Sequence, residues 1–403
     1  MIMRKVLFIT NLLPYPLDNG GKIKSYNIIS ALSKLYEIDL ICFANSKSDL
    51  KYSDSLKDIT NDTKIVVKTI VRSSSKLSFI KEYLKSLFSF LPYSINKFWN
   101  KEFENHIVDY LNKNSYDFIY VDHLPMMIYY KLFKSKKIIL DQHNVENLIF
   151  KRIVDVEKKG IKRFVLNYEY LKLRKFEMFS MNKVSHIISL SEEDKKEFVN
   201  LGISPDKLSV LPIHIEVSKK YNVKEITEGK IRLLFLGSMS WYPNQNGLKW
   251  FMEEVWNKLD KDIYEIYIVG SNPPNLITNY HNDKNVFVTG YVDNVDKYIE
   301  LCDISIVPLF IGSGQRVKII ESFAKGIPVI STGIGAEGLI WENGKDLLIA
   351  NTAQEFIEQL DYIKEQPGIL SNISLNAMAR YRNNYSSDKL PEKIKHIVRE
   401  IES

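Results

Sequence analysis

Short apolar runs alternate with helical stretches along most of the chain, a pattern typical of parallel β-sheets with helices on both faces. The first set of runs predicts one doubly wound domain. Its expected strands span residues 5–10, 37–43, 117–122, 137–143, 185–191 and 207–213. A polar stretch at 218–230 follows, and its composition is that of a linker.

The alternation restarts after this linker and predicts a second domain of the same type. Its expected strands span residues 231–238, 265–271, 286–291, 304–309, 328–332 and 346–350. Apolar side chains at helical spacing near the end of the sequence predict a terminal helix. We therefore expect two Rossmann-like α/β domains, residues 1–217 and 218–385, followed by a helix in 386–403.

Length and composition agree with this division. A chain of 403 residues is too long for one compact core. Its 45% hydrophobic and 26% charged content excludes a disordered or fibrous protein. The two cysteines lie in apolar runs and are expected to be buried thiols. The apolar N-terminus is too short for a secretory signal, and no run approaches the ~18 residues of a membrane span. We expect a cytoplasmic protein.

Positive charge concentrates at residues 64–101, where eight basic residues and one acid alternate with aromatic and aliphatic side chains. Two interpretations stay open. The segment either contacts an anionic bilayer, peripherally at the inner face of the plasma membrane, or forms a core-facing helix with a solvated lysine face. A nucleic-acid partner is not expected, because no recognised module accompanies the charge and the isoelectric point of 8.8 is not extreme.

Open parallel sheets bind ligands beyond the carboxyl ends of their strands, and two such domains in series place a cleft between them. In the first domain, Gly20 and Gly21 follow the first expected strand and begin a predicted helix. Amides at such a helix N-terminus can approach a phosphate. An ordinary tight turn would use the same glycines, so this feature alone leaves both roles open.

In the second domain, a glycine loop follows the fourth expected strand. Gly312 and Gly314 free the backbone before a helix that is predicted to begin near Gln315. Arg316 and Lys318 lie in its first turn, where cations are unfavourable by about 0.3 to 1 kcal/mol unless an anion compensates. The pattern therefore predicts a diphosphate site.

Glu321 lies later on the same predicted helix. Its carboxylate offers two adjacent acceptor oxygens and could bind both hydroxyls of a ribose. The alternative is a surface ion pair with Lys318 at i, i+3 spacing.

Six segments form an ordered series: LPYPLDNGGKIKSYNIISAL at 13–32, LDQHNVEN at 140–147, SLSEED at 189–194, FLGSMSWYPNQNGLKWFMEEVW at 235–256, VTGYVDNVDKYIELCDISIVPL at 288–309 and LFIGSGQRVKIIESFAKGIPVIST at 309–332. In this order and spacing the chain resembles the family 4 glycosyltransferases over essentially its whole length. The resemblance implies the GT-B fold, with two doubly wound domains facing across a cleft. It also implies an acceptor on the first domain, a nucleotide-sugar donor on the second, and a terminal helix that crosses back to the first.

Within this resemblance, Glu321 matches the second glutamate of the family's signature pair, which holds the donor ribose. Ser313 stands where the first glutamate is expected, inside the Gly-x-Gly-x-Arg-x-Lys loop of a subgroup. Backbone amides from Ser313 to Gln315 are then expected to replace that carboxylate.

A second departure follows the FLGS motif, where many members carry an Arg and a Lys for the diphosphate. Met239 and Asn246 stand near those places. We therefore expect Arg316 and Lys318 to supply the cations.

His143 matches the family's active-site histidine, near the transferred sugar and the acceptor, although a lone histidine at a strand end is more often structural. His123 and Asn144 are weaker acceptor candidates. Three further positions match the donor site: Gly237, Gly290 and Val292, the last two beside the nucleobase.

The resemblance implies retention of anomeric configuration without a covalent intermediate. Negative charge then develops on the leaving diphosphate, so Arg316, Lys318 and amide dipoles supply the electrostatic stabilisation. No metal and no cofactor is expected, because the two cations replace a divalent ion. The Asp-x-Asp pattern at 260–262 is predicted to be a solvated loop.

The expected activity is transfer of a sugar from a nucleotide-diphosphate donor, a UDP- or GDP-sugar, to a glycan or lipid-linked glycan in cell-surface polysaccharide biosynthesis. Two alternatives stay open. One is another GT-B enzyme, a nucleotide-sugar epimerase or a phosphorylase. The other is a catalytically silent nucleotide-sugar-binding partner of a membrane assembly complex, which the absent first glutamate would fit.

Overall fold

Two compact units make up the chain in the computed structural model, which describes residues 4–69, 89–133, 136–158, 160–217, 219–224, 229–281, 285–312 and 314–402. The first unit contains Met1–His214 and Ser387–Ser403. The second contains Ile215–Ser386.

Parallel strands form the sheet of the first unit. They are β1 Lys5–Thr10, β2 Glu37–Ala44, β3 Asp62–Val67, β4 Phe118–Asp122, β5 Ile138–Asp141, β6 His186–Ser189 and β7 Leu208–Val210. Their order is β3-β2-β1-β4-β5-β6-β7, so the chain winds outward from β1 in both directions. The strands expected in this part of the sequence are all present, and their central residues are buried because helices cover both faces.

The edge strand β3 is the one that the sequence analysis missed. It reads DTKIVV, and Val66 is its buried side chain. An edge strand with polar residues toward solvent lacks the apolar run that marks a central strand. Lys64 therefore lies in a strand, which corrects the expectation of one amphipathic segment at 64–101. Residues 70–88 of that segment lie outside the described residues.

The described α-helices of the first unit before residue 214 are α1 Gly20–Leu32, α2 Tyr93–Asn96, α3 Lys101–Lys113, α4 Glu146–Val156, α5 Ile161–Lys183 and α6 Glu192–Asn200. Side chains cap three of them, α1, α3 and α6. Asn19 caps α1 by accepting from the Lys22 amide at 3.1 Å, and Ser191 caps α6 by accepting from the Asp194 amide at 3.0 Å. Each cap satisfies an amide that the first helical turn leaves without a backbone partner.

The second unit repeats the parallel design. Its strands are β8 Ile231–Leu236, β9 Tyr264–Val269, β10 Val286–Gly290, β11 Ile304–Val307, β12 Val329–Ser331 and β13 Leu348–Ile349, in the order β10-β9-β8-β11-β12-β13. Its helices are α7 Tyr242–Trp250, α8 Asn275–Thr278, α9 Asp296–Leu301, α10 Val317–Ala324, α11 Ala353–Glu365 and α12 Ile369–Asn384. The predicted class of two doubly wound parallel-sheet domains is confirmed.

The last helix, α13 Leu390–Glu402, packs on α1 of the first unit. Leu390, Ile394 and Ile397 are buried on its inner face, in one apolar cluster with Ile28 and Leu32. The C-terminal end of the chain thus supports the first helix of this unit.

Both cysteines are buried free thiols, as the sequence predicted. Burial raises the pKa of Cys302 to about 12. Among the helices of the described ranges, none is long and apolar enough to cross a membrane.

Candidate functional site

Three parallel strands end side by side in the first unit and place a polar cluster at their carboxyl ends. Thr10 of β1 pairs with Asp122 of β4, which pairs with Asp141 of β5. The fully buried Asp122 carboxylate accepts hydrogen bonds from Thr10 Oγ1 at 2.7 Å and Ser25 Oγ at 2.6 Å. This is the edge at which open α/β sheets bind ligands.

Two histidines share the Asp122 carboxylate. His143 Nε2 lies 2.7 Å from Asp122 Oδ1, and His123 Nδ1 lies 3.1 Å from Asp122 Oδ2. The centroids of the two imidazole rings are 3.7 Å apart. His123 has a φ of 73°, a left-handed conformation that is uncommon outside glycine. The structure thus brings together both histidines named from sequence and adds Asp122, which the sequence analysis missed.

Burial and mutual charge set the protonation of this cluster. Burial would raise the pKa of Asp122, but the two histidines outweigh it and hold that pKa well below its usual range. Burial likewise opposes a charge on His123, yet Asp122 outweighs it and raises the pKa of His123. For His143, burial and the charge of His123 lower the pKa to about 4. At neutral pH, a neutral His143 therefore donates its Nε2–H to an ionised Asp122.

A buried ion pair lies beside the cluster. Lys24 Nζ is 2.5 Å from Asp141 Oδ1, with both side chains buried, and Tyr120 donates to the other Asp141 oxygen at 2.8 Å. Because α1 begins at Gly20, its second turn delivers Lys24 and Ser25 to the sheet edge. Sequence reasoning missed Lys24, because a lysine on an amphipathic helix is ordinarily solvated.

Glu177 of α5 holds the segment that contains His143. Its buried carboxylate accepts from Gln142 Nε2 at 3.2 Å, from the Glu146 amide at 3.0 Å and from the Asn147 amide at 3.0 Å. These donors lie on both sides of His143 in sequence. Burial raises the pKa of Glu177 to about 7. The LDQHNVEN motif is therefore bound to α5 at both ends.

The remaining first-unit candidates lie close to the histidines. Gly20 and Gly21 form the first turn of α1, and a β-carbon at Gly21 would lie 3.4 Å from His123 Nε2. Asn144 directly follows His143, and its Nδ2 donates to Glu146 Oε1 at 3.3 Å.

A second polar cluster lies in the second unit, where α10 follows β11. Lys318 Nζ donates to Asn244 Oδ1 at 2.9 Å and lies 5.0 Å from the centroid of the Phe235 ring. Asn244 Nδ2 in turn donates to Ser238 O at 2.8 Å. Burial and the charge of Arg316 lower the pKa of Lys318 to about 7. An arriving anion would therefore stabilise the charged form of this lysine.

Gly237 leaves the space that this contact needs. A β-carbon there would lie 2.8 Å from Lys318 Nζ and 2.7 Å from Asn244 Nδ2. Any larger residue would displace one of these side chains. Sequence reasoning missed Asn244, because nothing in the sequence distinguishes this uncharged side chain from the neighbouring Asn246.

Arg316 is buried at the N-terminal end of α10. Its Nη1 donates to Gly314 O at 2.9 Å, and its guanidinium carbon lies 5.7 Å from the centroid of the Trp241 ring. Gly312 has a φ of 144°, which favours glycine, and a β-carbon there would displace the Arg316 guanidinium, because it would lie 2.2 Å from Nη2.

The helix α10 begins at Val317, which corrects the expected start near Gln315. Gly314 has a φ of 73°, which no α-helical residue adopts, and Gln315 Nε2 donates to Gly338 O at 2.8 Å. Arg316 consequently stands at the N-cap position, one residue before the first turn. Ser313 lies outside the described residues.

Glu321 does not form the surface ion pair with Lys318 that was one interpretation of the sequence. In the described part of the chain, Lys318 binds Asn244. Burial raises the pKa of Glu321, against the opposing charge of Lys325. The Glu321 carboxylate therefore lies on the same helix as Lys318 but forms no ion pair with it.

The other donor candidates lie on neighbouring strand ends. Gly290 ends β10 with a φ of 70°, and no atom lies within 4 Å of where its β-carbon would be. Val292 follows it and packs partly buried against an apolar cluster. Met239 is buried, and Asn246 lies in α7. Both residues are uncharged, so the positive charges of this cluster come from Arg316 and Lys318.

The first cluster also has the donor atoms of a metal site. One ligand atom each from Asp122, His123 and His143 lies within 4.8 Å of the others, a set that suits a divalent transition metal. However, Thr10 and Ser25 already donate to the Asp122 carboxylate. The Asp122 carboxylate is therefore already engaged, while the buried His123 Nδ1, 3.1 Å from it, makes no hydrogen bond of good geometry with the residues that the structure describes. The Asp-x-Asp pattern at 260–262 lies in an exposed loop.

The second cluster lies in a segment that matches a known protein family. Residues 230–365, which contain the whole second cluster, match the family model of group 1 glycosyl transferases. Sucrose-phosphate synthase from Thermosynechococcus elongatus is 14% identical, with 99% of each chain covered and a TM-score of 0.71. The fold is GT-B. Anabaena HepE in complex with UDP-glucose is 12% identical, with 98% of this chain and 99% of that one covered and a TM-score of 0.65.

The match of residues 230–365 to this family model supports a glycosyltransferase activity. One curated relative matches nearly the whole chain. It is an uncharacterized 44.6 kDa protein in the cps region of Klebsiella pneumoniae, 23% identical over 404 residues, which cover 96% of this chain and 98% of that protein.

Proposed function

We propose that the protein is a retaining glycosyltransferase that transfers a sugar from a nucleotide-diphosphate donor to a glycan or lipid-linked glycan in cell-surface polysaccharide biosynthesis. The observation that carries this proposal is a pair of cations, the buried Arg316 and the half-buried Lys318, at the start of α10 inside the segment that matches group 1 glycosyl transferases. The relative from a cps region supports the polysaccharide pathway. The neighbour solved with UDP-glucose supports a UDP-sugar donor.

The second unit supplies the donor site. Arg316 and Lys318 bind the diphosphate together with the backbone amides of the loop from Gly312 to Gln315. Glu321 accepts the ribose hydroxyls, since a half-buried carboxylate on α10 can bind both with its two oxygens. Gly290 and Val292 border the base, and Gly237 keeps the space around Lys318 open.

The first unit supplies the groups near the transferred sugar and the acceptor. Asp122 fixes the orientation and the tautomer of His143, because its carboxylate accepts from Nε2 at 2.7 Å. His123 and Asn144 extend the same surface toward the acceptor. Residues on either side of His143 are held by Glu177, so the imidazole meets the sugar in one orientation.

Catalysis in this proposal is electrostatic. As the bond between the sugar and the phosphate oxygen breaks, negative charge grows on the leaving diphosphate. The acceptor hydroxyl forms the new glycosidic bond from the same face, and its proton passes to the leaving phosphate oxygen. Arg316 and Lys318 stabilise this charge without a metal ion. A preorganised contact of this kind typically lowers the barrier by about 2.7 to 4 kcal/mol.

One set of variants tests the two sites separately. Arg316→Ala should weaken UDP or GDP binding and slow transfer, both by about 100-fold or more, because its charge contacts the donor and the transition state. His143→Ala should leave nucleotide binding unchanged and lower turnover. Calorimetry and nucleotide release on purified full-length protein measure both, and Arg382→Ala, an exposed arginine on α12, is the matched control. Normal nucleotide affinity in Arg316→Ala would refute the donor assignment.

The products separate the alternative functions. A transferase releases a nucleoside diphosphate only with an acceptor or by slow hydrolysis. An epimerase returns an intact nucleotide-sugar with altered stereochemistry, and a phosphorylase needs inorganic phosphate. A silent binding partner would be stabilised by the donor, by about 2.7 kcal/mol at ~100 times its dissociation constant, without consuming it.

A further inference from the structure

The long helix α5 carries a stripe of exposed apolar side chains. Ile161, Phe164, Tyr168 and Leu171 recur at intervals of three and four residues, and their exposed fractions are 85%, 75%, 39% and 44%. The opposite face, which includes Phe176, is buried against the first unit. Packing within the unit therefore accounts for one side of α5 and leaves large apolar side chains on the other.

Two neighbouring segments extend this apolar surface. Val156, the last residue of α4, is 59% exposed, and Phe90 is fully exposed. The segment around Phe90 is bound to α5, because the Tyr93 amide donates to Glu169 Oε2 at 2.8 Å. We call the set Phe90, Val156, Ile161, Phe164, Tyr168 and Leu171 the α5 face. Large exposed apolar side chains grouped along one helix and the segments beside it mark an interaction surface.

The surroundings of the α5 face are strongly basic. Residues 151–175 contain nine Lys and Arg and three Asp and Glu, a net charge of +6 that equals the net charge of the entire chain. The exposed cations are Lys151, Lys158, Lys162, Arg174 and Lys175. Apolar side chains flanked by cations match a bilayer with anionic headgroups, where the apolar groups enter the acyl boundary and the cations meet phosphates. A second copy of this surface would oppose like charges, which disfavours self-association.

We propose that the α5 face docks the protein on an anionic lipid bilayer. Helix α5 lies in the plane of the surface, with Ile161 and Phe164 inserted and the lysines and arginines at the headgroups. The proposal is independent of the donor site, which lies in the other unit. It also differs from the sequence-based expectation of membrane contact through residues 64–101, of which it uses Phe90 alone.

Vesicle co-sedimentation of the full-length protein tests the proposal. The probes are vesicles of phosphatidylcholine with about 30% phosphatidylglycerol and vesicles of phosphatidylcholine alone, at about 50 mM and about 500 mM salt. We expect binding to the anionic vesicles at low salt, and an Ile161→Ser, Phe164→Ser, Leu171→Ser variant should lose about 100-fold or more in partitioning. A Leu276→Ser, Leu375→Ser variant removes exposed apolar side chains from the second unit and should bind as the parent does.

A charge variant separates the two contributions. Lys162→Glu with Arg174→Glu and Lys175→Glu should weaken binding to anionic vesicles by about 100-fold or more at low salt. Unchanged vesicle binding in either variant set would overturn the proposal. So would a parent that sediments as a dimer and a serine variant that sediments as a monomer, because the α5 face would then join two copies. A serine variant that unfolds well below the parent would show a buried structural role instead.

Discussion

At the residue scale, Asp122 determines what the first cluster can do. One carboxylate contacts two hydroxyls and two imidazoles, and its charge raises the pKa of His123 while His143 stays neutral. A neutral histidine can accept a proton or a hydrogen bond from a hydroxyl, which a charged histidine cannot. Asp122 acts through His123 and His143, so we regard it as a positioning residue.

Replacement of Asp122 by asparagine tests this role. Asp122→Asn keeps the shape but removes the charge, so the pKa of His123 should fall and turnover should decrease about 10- to 100-fold, as is typical for residues that orient a reactive group. Nucleotide affinity should be unchanged. Histidine titration by NMR, turnover and calorimetry are the measurements. Asp39→Asn is the control, because Asp39 is also buried and accepts from Tyr116 Oη at 2.6 Å outside the site. An active variant with unaltered histidine titration would contradict the role.

The lowered pKa of Lys318 predicts that donor binding depends on pH. Its pKa of about 7 in the free protein means that it loses charge as the pH rises through 7. A bound diphosphate favours the charged form, so binding should take up a proton, and UDP affinity should fall by up to about tenfold per pH unit above 7. Calorimetry in buffers of different ionisation enthalpy measures both effects. Lys318→Arg should remove the slope and Lys325→Arg should keep it. A slope that survives in Lys318→Arg would assign the titration to another group.

At the element scale, central strands and long amphipathic helices were predictable, because burial on two faces gives continuous apolar runs. The strand β3 was not predictable, since a polar edge strand resembles a loop in sequence. The start of α10 was predicted too early, because residue propensities do not reveal the positive φ of Gly314. Motif spacing singled out His143, Arg316 and Lys318, which the structure places in the two polar clusters. It could not locate Asp122, Lys24 or Asn244, because their roles come from strand register and from side chains distant in sequence.

At the scale of the whole molecule, the chain leaves the first unit near residue 214 and returns near residue 387. The two passages are joined within the second unit, where the Ile215 amide donates to Tyr385 O at 2.9 Å and Tyr381 Oη donates to Ile215 O at 2.9 Å. The returning segment becomes α13, which packs on α1. The C-terminal end of the sequence therefore supports the helix that brings Lys24 and Ser25 to the first cluster.

This connection predicts that damage to α13 acts on the first unit. Ile394 is buried against α1, so Ile394→Ala should reduce the free energy of unfolding by about 2 to 5 kcal/mol, and truncation at Asp388 should cost more. Hydrogen exchange should rise in β1 and α1 while the strands of the second unit keep their protection. Lys395→Ala, on the exposed side of the same helix, should change neither. If β1 and α1 stay protected after truncation while second-unit strands exchange faster, α13 serves the second unit, and its packing on α1 contributes little to stability.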